Sequence, residues 1–419
     1  MKLRQLVAAI AAVVVSVPLE PRNIPDYPGL FFKDGKFEIT MFNDLHLGDR
    51  GYQDGRFRTV EDDDLTIQAM NKVLGHENHT NLAVINGDLM SGEWTNDDGS
   101  HPLLDKMMSP FLQRKLHFAT TFGNHEWEPT LNTKLMTQYI RNTANQHTPG
   151  ITFTTSSVDG DQNLVGSSNY YIPIYSTSSG KQVLKMILWL FDSKGGFAYT
   201  GDPNNKQGVK AYVHNEVVDW FALMQALVDT KGLLGVFTGH DHWTDWCMKW
   251  NKALDPKGVS WPSEKHYVHL CFGRHTGYGG YSELMRGGRH IVVHENALGQ
   301  DKIDNAIETW NRLENGNVSG WVMLNSTYGK DLYPPVQLLY SEGRGSPKNV
   351  AARNDDKGKG PKTSKSQSKS TKVRSKSKAT STPSSKVSRK TSKPTSTTLG
   401  SKSSTPTKTM TTYKATRTP

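Results

Sequence analysis

The sequence is short of long apolar runs and of cysteine, and each shortage excludes something. Its most apolar stretch, Leu6 to Val15, falls well short of the ~20 residues that a membrane-spanning helix needs. With Lys2 and Arg4 ahead of it, this stretch reads as a secretory leader over residues 1–17. No clear small-x-small cleavage site follows, so the competing reading is an apolar N-terminal strand or an uncleaved anchor. The only cysteines are Cys247 and Cys271, which allow one bridge in an oxidising compartment or two buried thiols elsewhere. No internal repeat is present. Beyond about Gly343 apolar periodicity disappears, and residues 351–419 are mainly Ser, Thr and Lys with scattered Pro. Such a stretch cannot bury enough apolar surface to offset its chain entropy, so residues 343–419 are expected to be a disordered tail. Tyr413 is its one aromatic, which argues against a base-stacking role, and no apolar C-terminal segment signals a lipid anchor.

The tail also carries the basic character. Residues 351–419 hold 18 Lys and Arg against 2 Asp, a net of +16, whereas the whole chain is +10, so residues 1–350 are net −6. The basic pI therefore says nothing about an active site. The tail can meet an anionic surface electrostatically, but specific nucleic-acid binding is not expected. Glycosylation sequons at Asn78, Asn317 and Asn325 suit a secreted protein. The expected location is the secretory pathway, extracellular or vacuolar, or the cytoplasm if the N-terminal segment is no leader.

What is present lies between these ends. Strands are expected at Phe37–Asn43, Leu82–Asn86, His117–Phe122, Tyr170–Ile174, Val183–Phe191, Leu233–Thr238, Tyr267–Phe272, His290–Val293, Thr309–Leu313 and Trp321–Leu324. Helical spacing covers Leu65–Leu74, Leu103–Leu112 and residues 131–142. Strands alternate with helices early and cluster later, which argues for a layered α/β domain over residues 30–342.

The polar residues at the strand ends carry the chemistry. The first strand runs into Asn43-Asp44-Leu45-His46, the second into Gly87-Asp88, the third into Gly123-Asn124-His125-Glu126, and a later one into Gly239-His240-Asp241-His242. Ligands gather beyond the carboxyl ends of strands in α/β sheets. Asp44 and His46, two apart on an extended segment, share a side and can reach one ion, as can His240 and His242. Asp88 follows a glycine that lets the backbone turn, and its carboxylate can bridge two ions. Mixed nitrogen and oxygen donors suit Zn, Fe or Mn rather than Ca. Any one of these motifs is a weak signal; four in order, each after a strand, point to a metal site.

This pattern resembles the calcineurin-like metallophosphoesterases over about residues 35–335. Gly123 to Trp127, Phe191-Asp192-Ser193, Asp245-Trp246-Cys247, Cys271 to His275, Trp310 to Glu314 and Leu324 to Gly329 look like the fungal and plant branch related to purple acid phosphatases. The resemblance implies a four-layer α/β/β/α sandwich and hydrolysis of phosphate monoesters by a metal-bound hydroxide at a two-metal site. It implies that Asp44, His46 and His242 bind the first metal, that Asp88 bridges, and that Asn124 and His240 bind the second. It makes His125 the residue that stabilises or protonates the leaving oxygen, and Asp241 one that faces away or orients its neighbours.

Two departures stand out. Purple acid phosphatases place a tyrosinate ligand where this chain has Ser91, and they lack a histidine at the place of His46, so a purple iron centre is not expected. More seriously, the family supplies a further His to the second metal from a strand reading His-x-Pro just before the Gly-His-x-His strand. No His lies between Trp220 and Gly239. Val217, Val218, Trp220, Phe221, Leu223, Met224, Leu227 and Val228 would cover well over half of one helix. Either two helix fragments are fused around a missing piece, or the helix is deeply buried. His214 and His275 are the nearest substitutes, the first in the loop before Asn215 and the second expected near the site mouth. Arg274 reads either as a cation facing substrate phosphate or, preferred here, as a solvated residue in a glycine turn. The tryptophans are expected mostly in the core. The function classes left open are thus an active phosphoesterase and an inactive relative that keeps the fold.

Overall fold

The alternation seen in the sequence becomes two sheets stacked face to face, with helices outside. The computed structural model describes residues 12–19, 29–178, 180–228, 233–251, 267–298 and 304–334, all within one compact unit. In chain order the strands are β1 (Ala12–Leu19), β2 (Leu30–Phe31), β3 (Lys36–Phe42), β4 (Tyr52–Gln53), β5 (Arg56–Phe57), β6 (Leu82–Asn86), β7 (Phe118–Thr121), β8 (Tyr170–Ser178), β9 (Lys181–Leu190), β10 (Leu233–Thr238), β11 (Cys247–Asn251), β12 (Tyr267–Phe272), β13 (Gly287–His294), β14 (Ile307–Leu313) and β15 (Val318–Leu324). The α-helices are α1 (Val60–His76), α2 (Asp97–Arg114), α3 (Thr133–His147), the single turn α4 (Gln162–Val165) and α5 (Asn215–Val228).

One sheet has the order β15-β14-β13-β3-β6-β7. Its β3, β6 and β7 are parallel, so their carboxyl ends open on one edge. The other has the order β11-β12-β10-β1-β9-β8-β2, and β4 pairs with β5 as a separate hairpin. In the second sheet β10 and β12 are parallel, and β1 is antiparallel to both of its neighbours.

The pleat of each strand separates three cores. Ile39, Met41 and Val84 of the first sheet meet Ile172, Leu188 and Phe237 of the second between the sheets. The alternate residues Phe42, Ala83 and Ile85 face the other way, onto Met70 and Val73 of α1, Met107 and Phe111 of α2, and Met136 and Ile140 of α3. On the far side, Ile187, Trp189 and Val236 carry Val217, Trp220 and Phe221 of α5. The architecture is therefore helix, sheet, sheet, helix, the four-layer sandwich that the alternation of elements and the family resemblance imply.

Three local features bear on the expectations. Cys247 and Cys271 are directly paired across β11 and β12 and form a disulfide with an S–S distance of 2.03 Å. Helix α5 covers its sheet with only part of its apolar surface: Val218 and Leu223 are exposed, so it is not the deeply buried helix that was one reading. And Ala12–Leu19, which overlaps the stretch read as a leader, forms the central strand of the second sheet. Residues 1–11, residues 335–342 and the whole tail, residues 343–419, lie outside the described residues.

Candidate metal centre

The carboxyl ends of β3, β6, β7 and β10 meet at one edge, and the loops that leave them interlock. Asp44 donates its backbone N–H to Gly87 O at 3.2 Å, and His46 donates to Asp88 O at 3.0 Å. Asp44, His46, Asp88 and His240 all have positive φ, between 48° and 78°. Such conformations are disfavoured for residues with a side chain and cluster at functional sites. Close packing enforces the turns: a methyl at Gly239 would lie 2.7 Å from Asp44 Oδ2, and one at Gly123 would lie 2.4 Å from Asp88 Oδ1.

Ligand atoms of Asp44, His46 and His242 lie within 4.8 Å of one another, as do those of His46, Asp88 and His125. His46 Nε2 faces His242 Nε2 at 3.1 Å. His242 Nδ1 lies 3.0 Å from Tyr281 O, a carbonyl that can only accept, so Nδ1 carries the proton and Nε2 of the neutral ring turns its lone pair to the cluster. Ser91 Oγ lies 3.0 Å from His46 Nδ1 and holds the second ring through that nitrogen. Burial pushes both imidazoles towards the neutral form, His46 well below its usual range and His242 down to about 4. Burial, and then the neighbouring Asp88, raise the Asp44 carboxyl well above the usual carboxylate range. Asp44 Oδ2 is buried without a hydrogen-bond partner. Converging lone pairs, an orphaned carboxylate oxygen and neutral imidazoles fit a cation: it would satisfy all of them at once, and nitrogen with oxygen donors matches Zn, Fe or Mn.

Beside this cluster Asp88, Asn124 and His240 line a cavity of about 20 Å³ together with Asp44 and Ser193. His240 also donates its backbone N–H to Asp44 Oδ1 at 2.8 Å. Among the described residues no second His lines this cavity. His214 lies elsewhere: it is half-buried, and its Nδ1 accepts the Glu216 N–H at 3.4 Å. His275 is not at the mouth. It is buried behind the first cluster with its ring stacked on His242 at 3.9 Å, because the glycine loop folds inward under β3. Arg274 is not solvated either; it is buried and paired with Asp245 Oδ2 at 2.7 Å, since a guanidinium excluded from water must be neutralised by a partner. Asp241 takes the Trp243 N–H and orders its own turn.

His125 stands at the rim, half-buried. Its backbone N–H donates to Asp88 Oδ1, and its Nδ1 is 2.9 Å from Glu93 Oε2. Burial opposes a charge on this ring, but Asp88 and Glu93 outweigh it and hold the pKa up to about 10. Behind it the fully buried Glu126 accepts the N–H groups of Asp88, Met90 and Gly123, which locks the second and third loops together. Sequence reasoning assigned no role to Ser91, Glu93, Glu126 or Tyr281. Glu126 was within reach as the fourth residue of the third motif; Glu93 and Tyr281 sit in loops without a periodic signal.

No family model matches the chain. The chain is 22% identical over 358 residues to the "Probable inactive purple acid phosphatase 14" of Arabidopsis thaliana, covering 69% of this chain and 83% of the relative. It is 29% identical over 150 residues to "Phosphatase DCR2" of Saccharomyces cerevisiae, covering 35% of this chain and 25% of that relative. The curated relatives the chain resembles are thus named as phosphatases, one of them as inactive. Among solved structures, a dimetal phosphatase of Danio rerio matches 69% of this chain and 99% of its own, at 11% identity and a TM-score of 0.36. The calcineurin-like phosphoesterase YfkN of Bacillus subtilis matches 68% and 93%, at 13% identity and a TM-score of 0.30. Among the described residues no helix is long and apolar enough to cross a membrane.

Proposed function

We propose that this chain hydrolyses phosphate monoesters with two metal ions, in the secretory pathway or outside the cell. Asp44, His46 and His242 would hold the first ion, Asp88 would bridge, and Asn124 and His240 would hold the second. Bound there, the ions would neutralise the ester's charge and lower the pKa of water from 15.7 to roughly 7. The observation that carries this reading is the convergence of Asp44, His46 and His242 around an unpartnered carboxylate oxygen, next to a small cavity lined by Asp88, Asn124 and His240. His125 gives its proton to the leaving oxygen, and Glu93 holds the ring through Nδ1 so that Nε2 faces the ester. The interlocked loops keep these groups in place before substrate arrives, which removes reorganisation from the barrier.

A second reading is an inactive relative that holds only the first ion firmly. One observation favours it: among the described residues a single His lines the second cavity. Measuring metal per chain of the purified protein, together with hydrolysis of an aryl phosphate, separates the two. Near-stoichiometric occupancy of one site, partial occupancy of the other, and low activity that rises with excess Mn or Zn is the outcome expected. Two equally tight sites would refute the missing-ligand argument; no hydrolysis at saturating metal would leave the inactive reading.

A further inference from the structure

Around the metal centre the surface carries large rings that the fold does not bury. Trp94 is 51% exposed and Tyr281 is 39% exposed, while Trp243, directly after His242, and the paired Tyr52 and Phe57 of the β4–β5 hairpin also face outward. The expectation that the tryptophans belong to the core holds for Trp127 and Trp189 but fails here. An exposed Trp is costly in water, and several beside one site mark a binding surface rather than chance.

These rings are not loosely hung. Trp94 follows Glu93 in the short 3₁₀ turn Gly92–Trp94, so it stands next to the partner of His125. Its ring leans over Gly51: a methyl there would lie 3.6 Å from Trp94 Cζ2. The buried Asp49 ties this loop to the one bearing Tyr281, taking the Gly51 N–H and the Gly280 N–H at 2.7 Å each. The buried Arg58 donates to Gly280 O at 2.6 Å and fastens the hairpin to the same point. Tyr281 itself lies flat on the His242 ring, 4.1 Å between centroids. Buried polar groups thus fix exposed rings at the edge of the centre, an arrangement that pre-pays the cost of ordering a stacking platform.

We infer that the ester's alcohol carries a flat aromatic ring system, which stacks on Trp94 at the rim of the site while its phosphate lies at the metal centre. This rests on the phosphoesterase reading above. The reaction stays a simple hydrolysis: water's oxygen bonds to phosphorus, the phosphorus–oxygen ester bond breaks, and the leaving oxygen takes a proton to become the free alcohol.

The matched probes are adenosine 5′-monophosphate and ribose 5-phosphate, which share the reacting primary alcohol and differ in the base. Both are measured with the metal-loaded full chain, for kcat/KM and for equilibrium binding. Stacking of a base on an aromatic ring predicts a preference of about tenfold or more for the nucleotide. In Trp94→Ala that ratio should fall to near one, and Trp94→Phe should restore most of it. Equal kcat/KM and equal binding of the two probes would overturn the inference while leaving the phosphoesterase reading intact. Tighter, Trp94-dependent binding of the nucleotide without any turnover would uphold the inference and sink the phosphoesterase reading. A phosphoserine peptide preferred over the nucleotide would overturn it in favour of a protein substrate.

Discussion

Glu126 accepts the backbone N–H of Asp88 at 3.1 Å. The same carboxylate takes Met90 at 3.1 Å and Gly123 at 2.8 Å, so one side chain closes the loops after β6 and β7. Burial, followed by the nearby Asp88, raises its pKa to about 8. Removing it leaves three backbone donors without an acceptor in a dry site, and each orphaned group costs about 1–3 kcal/mol. Glu126→Ala should therefore lose roughly 3 kcal/mol or more in a denaturant melt. It should also weaken metal uptake through Asp88. A variant with unchanged midpoint and slope would show that the loops hold without this carboxylate.

The strand–helix alternation and the four strand-end motifs were legible because period-two apolar runs and glycines are local signals. Residues 37–43, 82–86 and 233–238 were read nearly to their final bounds. Helix α1 extends well before Leu65 because Asp62 takes the Thr59 N–H and fixes the start, a cap that the apolar spacing does not report. The fate of Arg274 and His275 was not legible. Their glycine-rich surroundings suggest an open loop, but Gly273 and Gly277 are there so that this loop can pass hard against Asn43 and Leu45. Long-range packing of this kind leaves no trace in the spacing of one segment. Glu93 escaped for the same reason: its role exists only once β7 brings His125 alongside.

His125 meets the centre through its backbone N–H and through its ring, which stands edge-on to the His46 ring with centroids 4.6 Å apart. His125→Ala should keep metal content and slow turnover by ~10²–10⁴-fold if the ring supplies the proton. Glu93→Gln keeps the shape but removes the carboxylate that holds Nδ1. It should give a smaller loss in kcat, with KM little changed, and the affected limb of the pH profile should move to lower pH. Metal analysis beside steady-state kinetics checks both. Loss of metal from a folded His125→Ala protein would make His125 a ligand, a role its closeness to His46 and Asp88 allows geometrically.

His269 offers a pH test away from the metal centre. It is 3% exposed on β12, its Nε2 has no hydrogen-bond partner, and burial, helped by Lys249, depresses its pKa to about 4. The folded value lies below the unfolded one of about 6.5, so between these values the unfolded chain binds more protons. The stability that neutral His269 permits is full above about pH 6.5 and is lost as pH falls towards 4. Over that window the loss should be on the order of 2–3 kcal/mol. His269→Phe should fit the ring contacts with Tyr267 and Tyr328 and flatten this part of the profile. Parallel pH dependences for variant and parent would rule out His269 as the cause.

The last prediction concerns β1. It lies between β9 and β10, antiparallel to both, with Val13 paired to Trp189 on one side and Val236 on the other. In the strand order β9 and β10 are not neighbours, so β1 alone joins the half made of β11, β12 and β10 to the half made of β9, β8 and β2. It runs in the opposite direction to β10, so its carboxyl end points away from the edge where the His240 loop leaves β10. Without it, two strands would present unpaired backbone edges, and such edges pair with other chains. The strand β10 leads directly into His240 and His242, so loosening it should reach the metals. A chain that starts after Leu19 should therefore melt several degrees lower, aggregate at concentrations the full chain tolerates, and bind less metal at the His46 and His242 site. The check is a thermal melt with light scattering and metal analysis on both forms, alongside the N-terminal sequence of the protein recovered from its natural host. A mature protein that begins after residue 17 and matches the full chain in melting temperature and metal content would show that the leader reading is correct and that β9 and β10 close up by themselves.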